Sequence, residues 1–146
     1  MKNKKIIGIT GANGSLGRSL TKTFQDHGHH IIGFTHSEKE KDLNQNGPNE
    51  LIYWECGKEY LLKDYLKRID ILILNHGIYE KDINNSDFEK TLNINALSKF
   101  KILKIFKKII LNNEKEIPLK EIWINTSEAE VLPALNPSYE ISKSLI

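Results

Sequence analysis

Five short runs of β-branched and aliphatic residues, separated by longer stretches with helical periodicity, constrain what this 146-residue chain can fold into. The runs are Lys5 to Thr10, His30 to Thr35, Leu51 to Trp54, Ile69 to Leu74 and Glu121 to Thr126. The fourth is apolar throughout except for Asp70, the composition of a strand covered on both faces. Between the runs, Ser15 to Asp26 is expected to be helical and to end at Gly28, a C-terminal-cap glycine. A second helix is expected around Lys58 to Lys67. A third starts from a cap at Ser86 or Asp87 and runs to about Leu111, and a fourth opens at Asn136-Pro137, a cap with proline in the first helical position. At 100° per residue, Ile102, Leu103, Ile105, Phe106, Ile109 and Ile110 share one face of the third helix, with Lys101, Lys104 and Lys108 opposite. Strand–helix alternation joined by right-handed crossovers predicts the α/β class: a doubly wound parallel sheet of about five strands, order 3-2-1-4-5, between two helical layers. Residues 1–146 are expected to form one domain, and this length permits a substantial core.

Composition narrows the remaining classes. Twenty-one basic residues against nineteen acidic ones give a net charge of +2, too balanced to point to nucleic acid as the main partner. The single cysteine, Cys56, excludes an internal disulfide, and no Cys/His cluster has zinc spacing. The basic start precedes only Ile6-Ile7 before Gly8, and no later stretch approaches the roughly 20 apolar residues of a membrane span. A soluble cytoplasmic protein is the expectation. The lysines of the Lys99 to Lys108 stretch are expected to form a solvated face.

The turn between the first strand and first helix carries chemistry. In Thr10-Gly11-Ala12-Asn13-Gly14-Ser15-Leu16-Gly17, Gly11 permits a tight turn, Gly14 lets backbone approach a pyrophosphate, and Gly17 allows close helix–sheet packing. The helix N-terminus behind the loop offers unpaired N–H groups and a partial positive charge. No Lys-Ser/Thr follows the last glycine, which disfavours a Walker loop. A dinucleotide is the expected ligand, held by Gly11, Asn13, Gly14, Ser15, Leu16 and Gly17. The second strand ends Phe34-Thr35-His36-Ser37, with no carboxylate at its tip and Lys39 and Lys41 shortly after. Thr35, His36 and Ser37 are therefore expected to receive a 2′-phosphate, favouring NADP over NAD.

Near the end, Tyr139 and Lys143 stand four apart and share a helix face. An ordinary phenol, with a pKa near 10, is a poor proton carrier at neutral pH. An ammonium about 5 Å away favours phenolate by about 3 kcal/mol at an effective dielectric near 20. Together with Leu74-Asn75-His76-Gly77 after the fourth strand, Asn95 in the long helix, and Ser127 after the fifth strand, these residues resemble the short-chain dehydrogenase/reductase family in the correct order from Ile6 onward. The glycine spacing also resembles that family's extended, epimerase-like branch, and Leu74 and His76 depart from its Asn-Asn-Ala-Gly pattern. The resemblance implies that Tyr139 exchanges a proton with a carbonyl or alcohol oxygen and that Ser127, with Thr126 as fallback, orients that oxygen. Lys143 would support Tyr139 and hold the nicotinamide ribose, and Asn95 would position Lys143. Asn75 and Gly77 would line the cofactor, and Glu55 would sit near the adenine. It implies a small carbonyl or alcohol substrate and pairing of two copies through the Asn95 and Tyr139 helices.

Two other readings remain open: a dinucleotide-binding module without turnover, and an extended-type nucleotide-sugar epimerase or dehydratase. Relatives in the family continue past the position of Ile146, so the chain is expected to be a truncated form, a split product or a fragment that lacks the substrate lid.

Overall fold

The structure is a computed structural model that describes residues 4–36, 47–80, 85–112, 119–132 and 136–146. Five strands, β1 (Ile6–Thr10), β2 (His30–Thr35), β3 (Glu50–Tyr53), β4 (Ile71–Leu74) and β5 (Glu121–Ile124), form one sheet in the order β3-β2-β1-β4-β5. Every neighbouring pair is parallel; Ile7 lies opposite both Ile31 and Ile71. This is the expected topology. Parallel strands need crossovers, so the helical segments must lie on the sheet faces.

Successive residues on each strand point to opposite faces, and the core divides accordingly. Ile7, Ile9, Ile31, Ile71 and Ile73 pack with Leu20 and Phe24 of α1 (Ser15–Asp26). Ile32, Phe34, Leu72 and Leu74 face the other way, onto Leu62, Leu66, Ile102, Phe106 and Ile109. Those partners come from a 3₁₀ turn (Glu59–Leu62), α2 (Lys63–Arg68) and α4 (Ser98–Leu111). Each such side chain contributes about 1.5–3 kcal/mol on full burial, which makes both faces necessary to a chain of this size. At the bottom of the sheet, Glu50 accepts from Arg68 and pairs with His30, joining β3 to α2 and β2; the arginine contact first, then the histidine, holds its carboxyl down to about 2.

Two helix boundaries arise from local chemistry. Gly28 closes α1 at φ +84° and donates to the Gln25 carbonyl at 2.8 Å. Asn136 caps α5 (Pro137–Ser144), its Oδ1 accepting from the Tyr139 N–H at 2.8 Å. The long segment differs from one regular helix: α3 (Asn85–Leu92) passes through a π-helical turn (Asn93–Leu97) into α4. The segment after β3 also divides into the 3₁₀ turn and α2. Among the described residues, no helix is long and apolar enough to cross a membrane.

Candidate functional site

The carboxyl ends of β1, β2, β4 and β5 open on a cleft of about 690 Å³, within the range usual for small-molecule and cofactor sites. Its walls include Gly11, Gly14, Ser15 and Leu16 from the first turn, and His36, Tyr53, Glu55 and Cys56 from the ends of β2 and β3. Asn75, His76, Gly77, Ile78 and Tyr79 come after β4, Asn125 after β5, and Tyr139 and Lys143 from α5.

The glycine loop is shaped by backbone crowding. Gly11 adopts φ +67°, and a Cβ there would lie 2.9 Å from the His76 Cα. A Cβ on Gly17 would lie 2.2 Å from the Gly11 carbonyl oxygen, so only glycine lets α1 start this close to the strand. Gly14 is the N-cap of α1 and brings no side-chain acceptor to its first N–H groups, which keeps them available to an anion. Asn13 accepts Arg18 Nε through its carbonyl, while its buried Nδ2 has no partner. Gly17 packs rather than lines, and Thr35 is buried at the end of β2.

Thr10 couples this loop to the turn after β4. Its Oγ1 accepts from the Asn75 N–H at 2.9 Å and from the His76 N–H at 3.2 Å, and it sits 2.7 Å from His76 Nδ1. His76 is 3% exposed. Burial first, then the Lys99 charge, pushes its imidazole down to about 3, so the ring is neutral across the physiological range.

At the far end, Lys143 Nζ lies 5.4 Å from the centre of the Tyr139 ring, and Tyr79 meets that ring edge-on at 5.3 Å. Gly77 makes room beside them: a Cβ there would stand 3.1 Å from Asn95 Oδ1 and 3.6 Å from Lys143 Nζ. Asn95 is fully buried in the π-helical turn, a feature frequent at functional sites. Its Oδ1 accepts from the Ile78 N–H at 2.7 Å, and its Nδ2 donates to the Ile78 carbonyl at 2.9 Å and to Ser142 Oγ at 3.0 Å. One side chain thus clamps the cleft wall after β4 to the helix that carries Tyr139 and Lys143. A second tie runs from Asn136 Nδ2 to the Glu80 carbonyl at 2.8 Å.

Not every expected residue faces the cleft. Ser127 stands just outside its lining and caps a 3₁₀ turn (Glu128–Glu130), its Oγ accepting from the Ala129 N–H at 3.3 Å. His36 does line the cleft, but both ring nitrogens are engaged. Nδ1 donates to the Trp54 carbonyl at 2.8 Å, leaving Nε2, 3.6 Å from Cys56 Sγ, as the acceptor. Burial lowers its pKa, so it presents a neutral ring, tilted against Trp54 with ring centres 4.2 Å apart, rather than a cation. Ser37, with Lys39 and Lys41, lies outside the described residues.

Sequence reasoning misses Asn125, whose Nδ2 donates to Asn75 Oδ1 at 3.0 Å, and Lys99. Lys99 is a correction: it is 1% exposed and does not belong to the solvated face of Lys101, Lys104 and Lys108. Its Nζ donates to the Asn125 carbonyl at 3.3 Å.

Does the cleft fit a dinucleotide? The steric room kept by Gly77, the uncapped start of α1 behind Gly14, and a continuous lining from the glycine loop to Lys143 match an elongated, phosphate-bearing ligand. Fold and cleft together place the chain among the Rossmann-like α/β proteins. Residues 7–130 match the family model described as the NAD dependent epimerase/dehydratase family, and the chain belongs to that family. Membership carries the cofactor class, NAD or NADP.

Individual relatives are consistent with this. A monoglucosyldiacylglycerol epimerase from Synechocystis is 35% identical over 147 residues, covering 98% of this chain and 35% of that protein. A putative 2-deoxy-D-gluconate 3-dehydrogenase from Agrobacterium tumefaciens, solved with bound NADP, superposes with a TM-score of 0.82 at 18% identity. The match covers 99% of this chain and 62% of that one. Serine dehydrogenase from Escherichia coli gives 0.80 at 17% identity, over 95% and 69% of the two chains. The chain spans about a third of the curated relative it matches.

Proposed function

We propose that this chain is the dinucleotide-binding and proton-transferring part of an NAD(P)-dependent oxidoreductase acting on a small carbonyl or alcohol substrate. The observation that carries the reading is that Tyr139 and Lys143, 5.4 Å apart ring centre to ammonium, share one cleft with the glycine loop. When bound, the dinucleotide supplies the hydride donor or acceptor. Gly11, Asn13, Gly14, Ser15 and Leu16 hold its pyrophosphate at the start of α1, which Gly17 lets pack close to the strand, and Asn75 and Gly77 lie along it.

The protein's part is geometric and electrostatic. Tyr139 gives its hydroxyl proton to a carbonyl oxygen, or takes one from an alcohol. The Lys143 ammonium stabilises the phenolate that results and holds the ribose hydroxyls of the nicotinamide half. Ser127 orients the reacting oxygen through its hydroxyl hydrogen, since its oxygen already accepts from Ala129. Asn95 is a positioning residue: its bonds to Ile78 and Ser142 fix the distance between cleft wall and α5.

NADP is the preferred form in this reading because the end of β2 carries no carboxylate for a ribose 2′-hydroxyl; Glu55 sits on the adenine side. The apolar side chains Leu97, Phe100, Ile141 and Leu145 are exposed beside the Asn95 and Tyr139 helices and support pairing of two copies there. A second reading is favoured by the family description and the Synechocystis relative. There the same residues would move the proton of a sugar hydroxyl while its carbon gives a hydride to the oxidised dinucleotide and takes it back on the opposite face, leaving no net consumption of cofactor.

Calorimetric titration with NADPH and NADH tests the site. Saturable binding is expected for the wild type, and affinity about tenfold weaker, worth about 1.4 kcal/mol, in Lys143→Met. Absence of binding by either cofactor refutes the reading. Net NADPH oxidation in a carbonyl screen then favours the reductase form over the epimerase form.

A further inference from the structure

Lys99 is a buried charge that the chemistry above leaves unused. It lies in the first turn of α4, just past the π-helical turn that holds Asn95, and is 1% exposed. Its only hydrogen bond among the described residues is to the Asn125 carbonyl. Asn125 lines the cleft and bonds through its side chain to Asn75, so Lys99 stands directly behind the wall that joins β4 to β5. Among the described residues, neither Lys99 nor Lys143 forms an ion pair with a carboxylate.

An unpaired ammonium in such a place is expensive to keep, and an apolar side chain of similar length would fill the same space. Burial, then the nearby Lys143 charge, lowers the Lys99 pKa to about 8, which still leaves it mostly protonated at neutral pH. The end of the cleft that holds Tyr139 therefore has one ammonium on its surface and a second behind it, neither paired with a carboxylate among the described residues. A nicotinamide ring is cationic when oxidised and neutral when reduced.

We propose that Lys99 acts as an electrostatic positioning residue that biases this cleft toward the reduced dinucleotide, by placing an uncompensated positive charge behind the Asn75–Asn125 wall. The inference rests on the reading that the reactive ring lies at the Tyr139–Lys143 end. On the protein, such a bias favours uptake of hydride from an alcohol over its delivery to a carbonyl, and it keeps reduced cofactor bound until an oxidised substrate intermediate is reduced again. Lys99 does not reach the cleft surface, so it acts through space and through the position of Asn125.

The test compares dissociation constants of NADPH with NADP⁺, and of NADH with NAD⁺, by calorimetry on the full chain at pH 7. The wild type is expected to bind the reduced form about tenfold more tightly. Lys99→Gln retains a donor for the Asn125 carbonyl without the charge, and the preference should fall to about twofold. Lys99→Arg keeps the charge and should keep the preference, a rescue that a purely structural role would not require. An unchanged ratio in Lys99→Gln overturns the proposal while leaving the site reading intact. So does a wild type that binds the oxidised form as tightly as the reduced one, a result that needs no variant to fold. Failure of the wild type to bind any of the four overturns both together.

Discussion

Replacing Tyr139 with Phe is expected to lower turnover at least about 100-fold while leaving dinucleotide affinity within about threefold. The substitution removes one hydroxyl and keeps the ring that Tyr79 meets at 5.3 Å and over which Lys143 Nζ stands at 5.4 Å. Packing of α5 should therefore survive, and with it the Asn136 cap and the Asn95–Ser142 bond. What disappears is the proton carrier, and positioned general acids contribute roughly 10²- to 10⁴-fold. Steady-state rates with a substrate found in the carbonyl screen, beside calorimetric affinities, separate the two quantities. Equal rates in wild type and variant would remove Tyr139 from the chemistry. A parallel loss of binding would instead make it a structural support of the cleft.

The second large effect is a loss of stability on mild acidification. His76 is buried beside Thr10 at the end of β1, and its pKa, about 3, lies far below the usual 6.5. A folded-state value below the unfolded one means that the unfolded chain binds a proton that the folded chain refuses. Stability conferred by the neutral ring is complete above about pH 6.5 and falls as pH drops toward 3. At pH 5 the difference corresponds to about 2 kcal/mol. Carboxylates held low by cationic partners, such as Glu50 beside Arg68, add acid sensitivity only below about pH 4.5, so the interval from 6.5 to 5 reports mainly imidazoles. Urea midpoints measured across that interval should decline in the wild type and decline much less in His76→Gln, whatever that variant's stability at pH 7.5. The slope left over belongs to His36, whose pKa burial also lowers. An equal slope in both proteins would contradict the assignment.

The elements that sequence locates most closely are those governed by local rules. α1 spans Ser15–Asp26 because the glycine loop, the helical pattern and Gly28 all act within a few residues of one another. Asn136 and Pro137 open α5 for the same reason. Strand order is legible from apolar runs and the handedness of crossovers, neither of which needs side-chain detail.

The differences have a common origin in tertiary context. A π-helical turn adds a residue to the helical repeat, so the faces of α3 and α4 are offset by about 100° about the helix axis. Nothing in the apolar spacing of Ile102 to Ile110 announces that turn. Lys99 stands three before Ile102 and seven before Phe106, on the apolar face, but its charge reads as solvent-facing until Asn125 is folded against it. His36 looks available for a phosphate because its engagement depends on Trp54 and Cys56, which β3 brings to the end of β2. Ser127 is identified from its place after β5, but its role as cap of the 3₁₀ turn depends on where Ala129 folds. Asn125 gains its place only when β4 and β5 pair in register and bring it beside Asn75.

All of these assignments depend on where the two ends of the dinucleotide lie. The direct measurement is a set of nuclear Overhauser contacts between saturating NADP⁺ and the isotopically labelled chain. Contacts from the nicotinamide protons to the Tyr139 ring, and from the adenine protons to Tyr53 and His36, are the predicted pattern. Nicotinamide contacts at the Tyr53 end, or none to Tyr139 at saturation, would contradict the account.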